Sequence, residues 1–287
     1  MIKFIKLNYI IIIKYSWAMF AALLAVCSLL QGLCIQGAVS VLLAEVILYI
    51  IALLVASFFV YRRKENTISI QQNTKIKIIY GYLLKIAFNE SNNQNKKRIV
   101  VIPVNTCFDI IVDDNIALVK KPLVSPASIH GKWLKQVSKT MHIDEIDKRI
   151  AASLKDKVFS LIPLEQKSRG NHKDYPFGTV AIFDYASTEF FLLALSRFDS
   201  NNNAQCTKDE FLLAVKKMID FIDKHGQGLP IYIPLMGSNL SRAKLTRKES
   251  LQAMVAMMKL YADRVPGEVN IVVYDGDRDK VSIYDVV

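Results

Sequence analysis

The amino-acid sequence predicts a three-layer α/β/α domain preceded by a two-helix transmembrane hairpin. Two observations carry this. Between Tyr15 and Tyr61 the chain runs 47 residues with a single charged side chain, Glu45. Beyond residue 74, apolar runs of strand length alternate with segments whose apolar residues recur every three or four positions, the pattern of a sheet covered by helices.

A bilayer core takes about 20 apolar residues per helix, so the uncharged stretch is too long for one crossing and fits two. Gln36-Gly37 offers a polar, flexible break that divides it into spans of residues 15–35 and 38–61. Lys3, Lys6 and Lys14 precede the first span and Arg62-Arg63-Lys64 follow the second. Basic flanks favour the cytoplasmic side, so both ends are expected inside. The predicted plan is a hairpin over residues 1–64 and a cytoplasmic domain over 65–287. A cleaved signal sequence would carry an apolar run of about 7–15 residues, whereas this one is much longer and a second follows at once. A helical pair buried in a soluble core would show a polar face, which neither segment has.

Residues 62–287 are enough for one α/β domain with its own core. They hold 34 basic and 25 acidic residues. That surplus suits an anionic membrane surface, an anionic ligand or nucleic acid alike. Cys27, Cys34, Cys107 and Cys206 show no C-x-x-C spacing, so neither a disulfide framework nor a zinc site is expected.

Lys75–Tyr80 alternates basic and apolar residues and reads as a half-exposed strand; about ten residues then tether it to Lys64. Arg98–Val104 is a continuous apolar run suited to a central strand, and the polar stretch 89–97 before it reads as a loop. Residues 115–176 hold helical pieces near 143–157 without a clear order. Phe190–Phe198 is a further strand. Thr207-Lys-Asp-Glu210 is a capping box opening a helix with Phe211, Val215, Met218, Ile219 and Ile222 on one face. Gly226 and Gly228 end it before the strand Leu229–Leu235. A second amphipathic helix spans 247–264, and Val269–Tyr274 and Val281–Val286 read as the last strands.

Two clusters offer chemistry. In Pro234-Leu-Met-Gly-Ser-Asn-Leu-Ser-Arg242 a strand's carboxyl end runs into a Gly/Ser/Asn turn before a helix. Open α/β sheets bind ligands at that edge, where free backbone N–H groups cradle phosphate, and Arg242 adds a guanidinium suited to phosphate oxygens. The same residue types also build ordinary strand-to-helix connections. The second cluster is Asn105, Thr106, Asp109, Asp113 and Asp114, followed by the loop Ser125–Gly131. No His or Cys pair at ligand spacing accompanies these carboxylates, so no metal is expected. Cys107 has no activating base beside it and reads as packing. His130 reads as a structural or capping residue or as part of an anion-binding loop.

The order Lys75–Lys85, Ile99–Asp109, Ser128–Gly131, Leu229–Arg242 and Val269–Asp275 resembles a macro domain, the ADP-ribose-binding α/β/α sandwich. In that family a strand ends in Gly-Asp-Ile and the Asp holds adenine, an Asn lies near the distal ribose, and two loops wrap the diphosphate. Gly81 keeps its place, Asn105 matches the ribose-side Asn, and Gly237–Leu240 matches the second phosphate loop. Tyr82 stands where the adenine-binding Asp would be, and no Gly-Gly-Gly run precedes Ser128–Gly131. With its hairpin, the chain is similar to the membrane effectors of type II Thoeris anti-phage systems.

The resemblance implies a ligand-gated effector of the bacterial inner membrane rather than an enzyme, with no catalytic residue, cofactor or metal. Its ligand would be an ADP-ribose derivative, a histidine adduct made by a partner TIR-domain protein. The chain would then form homo-oligomers that disrupt the lipid bilayer. The implied cleft comprises Asn105, Thr106, Asp109, Ser128, His130, Gly131, Gly237, Ser238, Asn239, Leu240 and Arg242, with Tyr82 in place of the adenine-binding Asp and Tyr274 as an aromatic face for the base. Glycine at 237 would let the backbone approach the diphosphate, a side chain there taking the phosphate's place. The alternatives are a membrane-tethered ADP-ribosyl hydrolase and, last, a nucleic-acid binder, for which the chain offers no aromatic–basic ladder; no nucleic-acid partner is expected.

Overall fold

The computed structural model describes residues 2–30, 38–71, 74–88, 96–115, 118–119, 122–199, 203–238 and 243–286. Helix α1 spans Ile2–Leu30 and α2 spans Ala38–Arg62. Neither contains Gly or Pro, so nothing interrupts the i→i−4 ladder. The first helix begins 13 residues ahead of the expected span and carries Lys3, Lys6 and Lys14 within it. The expected Gln36-Gly37 turn lies outside the described residues. Ile2–Val26 and Val41–Arg62 are long and apolar enough to cross a membrane, and only 11% of the most apolar 18-residue stretch of each is buried. A core helix would be mostly covered.

After α2 the chain enters a strand almost at once. Strand β1 (Glu65–Gln71) pairs antiparallel with β2 (Thr74–Gly81), Glu65 lying opposite Ile79. The expected ten-residue tether is therefore two residues, Arg63 and Lys64. Ile68 and Ile70 alternate with small polar residues, which makes 65–71 a strand in its own right.

Next come α3 (Leu83–Phe88), β3 (Arg98–Asn105), α4 (Ile129–Val137) and α5 (Ile143–Ser153). A short antiparallel pair follows, β4 (Ser160–Leu161) with β5 (Lys173–Asp174), and then β6 (Val180–Tyr185), β7 (Thr188–Phe198) and β8 (Ala204–Gln205). The last third holds α6 (Lys208–His225), β9 (Ile231–Pro234), α7 (Arg247–Leu260) and β10 (Gly267–Tyr274). The capping box of α6 is formed, and α7 carries a second one between Thr246 and Glu249.

The main sheet runs β1-β2-β10-β9-β3-β7-β6, with β8 beside β7. Its five central strands are parallel, and the antiparallel β1 and β6 close the edges. Alternate residues of each strand serve opposite layers. Ile99 and Val101 of β3 join Phe211, Val215, Met218, Met254 and Met258 of α6 and α7. Val100, Ile102 and Val104 join Trp133, Leu134, Ile146 and Ile150 of α4 and α5 on the other face. The three-layer expectation holds.

One expected strand is absent. Residues 281–282 join no strand and 283–286 form a turn, because the place beside β2 is already taken by β1. Val281 and Ile283 are instead buried as plugs, held by the Tyr80 hydroxyl, which donates to the Val281 carbonyl at 3.0 Å and accepts from the Ile283 amide at 3.1 Å.

Candidate ligand-binding cleft

The carboxyl ends of β3, β7, β9 and β10 open into a cleft of about 760 Å³. Asn105 from β3, Ser196 from β7, Met236 and Gly237 after β9, and Tyr274 and Asp277 at the end of β10 line it. The loop Pro122–His130 and Arg247 complete the walls. Two helices begin at its rim. Ser128 caps α4, its Oγ accepting from the Gly131 amide at 2.9 Å, and Thr246 caps α7. The positive ends of both helix dipoles point toward the rim. Arg247, the first residue of α7, adds a full charge; its Nε donates to Asp277 Oδ2 at 3.0 Å.

Asn105 is 5% exposed, and its Oδ1 accepts from the amides of Cys107 (3.0 Å) and Asp109 (3.2 Å). The carbonyl half of the side chain thus shapes the turn, which leaves the NH₂ half for the cleft. His130 is likewise 5% exposed and lines the cleft, stacked on Trp133 at 6.1 Å. Burial pushes its imidazole down to about 3, so it is neutral at physiological pH. Its ring makes no hydrogen bond among the described residues. Gly131 is enclosed behind the rim, where a Cβ would lie 2.1 Å from the Ser125 carbonyl oxygen. The loop can close only around a glycine.

Several expected site residues lie elsewhere. Asp109 is fully buried and does not line the cleft. Its carboxylate accepts from Lys167 Nζ at 2.8 and 2.7 Å and from the Asn171 amide at 2.7 Å. Burial raises its carboxyl above the ordinary range, against the opposing pull of Lys167. This pair ties the turn after β3 to the segment between β4 and β5, so Asp109 positions the fold. Thr106 is 1% exposed and also off the cleft lining.

Asp113 accepts from Arg169 at 2.8 Å and from the Leu123 amide at 2.7 Å. Burial opposes it, yet these donors hold its carboxyl below the ordinary range. Cys107 is buried, its thiol pushed up to about 11 by that burial, as a packing residue should be.

Gly237 does line the cleft, but with a geometry opposite to the expected one. It has φ +90°, and a Cβ would meet Phe211 and Ser250 at 2.9 Å beneath the turn. A side chain here points into the core, away from the cleft. The Ser238 hydroxyl is buried without a hydrogen-bond partner among the described residues. Asn239, Leu240 and Arg242 lie outside the described residues. Tyr274 lines the rim, and Tyr82 stands behind it, edge to face at 5.2 Å. Lys85 covers Tyr82 with its ammonium 4.9 Å from the ring centroid, so Tyr82 braces Tyr274 from outside the cleft.

Arg247 and Asp277 were not expected at the site. The one available signal was that Arg247 opens the helix following a strand-end turn; the meeting with Asp277, 30 positions later, has no local signature.

The profile of the family described as "Thoeris protein ThsA, Macro domain" matches residues 76–274. The chain belongs to this family. A curated Thoeris ThsA protein from Bacillus amyloliquefaciens (strain Y2) is 27% identical over 189 residues, which are 64% of this chain and 60% of that one. The chain thus spans about 60% of the length of that ThsA relative. Among solved structures, an Oceanobacillus iheyensis macrodomain mutant with ADPR aligns at TM-score 0.42 and 12% identity, covering 77% of this chain and 94% of its own. The macrodomain of the same organism with ADP aligns at TM-score 0.40 and 11% identity, with the same coverage. For this ThsA-family macro domain, the family profile rather than those structural likenesses carries the assignment.

Proposed function

We propose that this chain is a ligand-gated membrane effector of anti-phage defence. Its macro domain binds an ADP-ribose-derived signal, a histidine adduct made by a partner TIR-domain protein, and the bound form assembles and disrupts the membrane. The observation that supports this best is a Thoeris macro-domain cleft, rimmed by two helix N-termini and Arg247, joined by two residues to a pair of apolar helices.

In this reading the diphosphate lies against the α4 and α7 N-termini and Arg247, where a guanidinium meets phosphate oxygens in a bidentate fashion. The Asn105 amide donates to a ribose hydroxyl. Tyr274 offers its face to the adenine, replacing the hydrogen bond that an Asp at Tyr82 would make. His130, neutral and without a hydrogen-bond partner among the described residues, hydrogen-bonds the group on the distal ribose. Assembly follows only if the ligand favours the assembled state over the free one.

The test is titration of the full chain in detergent or nanodiscs with ADP-ribose and its amino-acid adducts, with particle size followed throughout and dye release from liposomes in parallel. Saturable binding with growth in size and dye release is expected. Turnover of ADP-ribosylated protein without a change in size would replace this reading with a membrane-tethered hydrolase.

A further inference from the structure

The segment after β10 touches both the cleft and the root of the hairpin. On the cleft side, Asp277 is 8% exposed and holds Arg247 at 3.0 Å and Lys280 at 2.7 Å. On the hairpin side, the very next residue, Arg278, donates from Nη1 to the Tyr61 carbonyl at 3.0 Å, in the last turn of α2. Its guanidinium also lies 4.7 Å from the Tyr80 ring centroid and pairs with Asp275 at 2.7 Å.

Further along, the Ser282 hydroxyl donates to Asn8 Oδ1 of α1, and both residues are 3% exposed or less. Tyr284 packs on the cluster of Phe4, Ile12, Ala56 and Val60 between the two helices. Both apolar helices are thus clamped by one short segment whose opposite side forms part of the cleft wall.

We infer that residues 275–285 are a latch, resting on the function proposed above, in which a cleft ligand and the hairpin compete through Arg247. The physical argument is exclusive use of one cation. Among the described residues, Arg247 is the guanidinium that lines the cleft, and in this structure it is spent on Asp277. An anion that draws Arg247 away leaves a nearly buried carboxylate with Lys280 alone, an arrangement that costs free energy unless the turn moves toward water. Because Asp277 and Arg278 share that turn, its movement strains the Arg278–Tyr61 contact. The Ser282–Asn8 and Tyr284 contacts follow on the same short segment. Release of both helix roots frees the hairpin to meet other copies.

Linkage makes the inference sharp. If ligand binding weakens the clamp, weakening the clamp must strengthen ligand binding by the same factor. The experiment uses the full chain in dye-loaded liposomes with ADP-ribose as probe. Asn8→Ala and Arg278→Gln, made separately so that a misfolded variant does not decide the outcome, are expected to release dye without nucleotide. Both should also bind ADP-ribose roughly tenfold more tightly, within the usual range of couplings between sites.

Arg247→Ala discriminates further. A residue that only binds ligand would silence release when lost, whereas the latch requires this variant to release dye without nucleotide while binding it less. Folded Asn8→Ala, Arg278→Gln and Arg247→Ala that all stay as tight as wild type without nucleotide would overturn the latch. Should wild type bind neither ADP-ribose nor its histidine adduct, the proposed signal is wrong, yet the nucleotide-free arm still decides whether the clamp restrains the helices.

Discussion

The Gly131 Cα hydrogen that faces the Ser125 carbonyl occupies space no carbon could take, since a Cβ there would sit 2.1 Å from the oxygen. The same close approach sets the Ser128 cap on α4 and hence the rim of the cleft. Gly131→Ala is therefore expected to destabilise the domain by about 1–3 kcal/mol, the scale of forced overpacking, because a backbone atom must yield. Thermal melting of the full chain, with ADP-ribose titration on the folded fraction, checks this. A variant with unchanged melting and affinity would show that the loop opens freely.

Gly237 makes the direction of a side chain testable. Gly237→Ala should lower the melting temperature, because φ +90° disfavours an L-residue and the new methyl meets Phe211 and Ser250. Gly237→Asp should be worse, placing a carboxylate against an apolar wall. Unchanged melting with lost nucleotide affinity would mean that position 237 faces the ligand after all.

The buried Asp109–Lys167 pair predicts an asymmetric response. Lys167→Met leaves a fully buried carboxylate without its cation and should cost about 3–5 kcal/mol. Asp109→Asn with Lys167→Met removes both charges and should recover much of that loss. Chemical denaturation of the single and double variants gives the comparison, and equal losses in both would count against a charge-based account.

His130 predicts a pH effect with a defined sign. Its folded value is depressed to about 3 from the ordinary 6.5, so between those limits the unfolded chain binds the extra proton. Stability contributed by neutral His130 is full above about pH 6.5 and falls as the pH drops, by at most about 1.4 kcal/mol per unit. His130→Gln should flatten that part of the profile, as read by melting at a series of pH values. A parallel profile in both proteins would place the ring in water.

Glu45 lies inside the second apolar stretch, Val41–Arg62. A carboxylate there is costly against lipid and is expected to face a helix or a water path once chains assemble. Glu45→Gln and Glu45→Leu should change dye release and leave ADP-ribose affinity as in wild type. Wild-type release from both would remove the residue from the output step.

The elements visible in the sequence were those whose own residues declare them. Thr207 and Glu210 announce the start of α6, and the apolar run Arg98–Val104 can only be an inner strand. What stayed hidden depends on partners far along the chain. Ile68 and Ile70 make too short an alternation to mark β1 without β2 beside it, and Val281–Val286 resembles a strand until β1 is seen to fill the edge. Asn105, Ser128 and His130 line the cleft, while Gly131 sits behind its rim. Asp109 does not line the cleft, because Lys167, 58 positions away, captures it. The backbone sign that turns Gly237 toward Phe211 has no counterpart in residue type.

The pairing of Glu65 with Ile79 also fixes which end of the sheet the apolar helices join. Because β1 enters directly from α2 and runs against β2, the helix arrives at the carboxyl ends of the parallel strands, the same end that holds the cleft. Two connecting residues reach only about 7 Å. With α2 crossing a bilayer as proposed, the cleft opens at the end of the sheet nearer the lipid headgroups. A nucleotide approaching it would pass through the counterion layer of the inner leaflet. Leaflet composition would then act on the apparent affinity: anionic lipid would repel the incoming diphosphate, and the basic surplus of the domain would offset that repulsion at the point of entry.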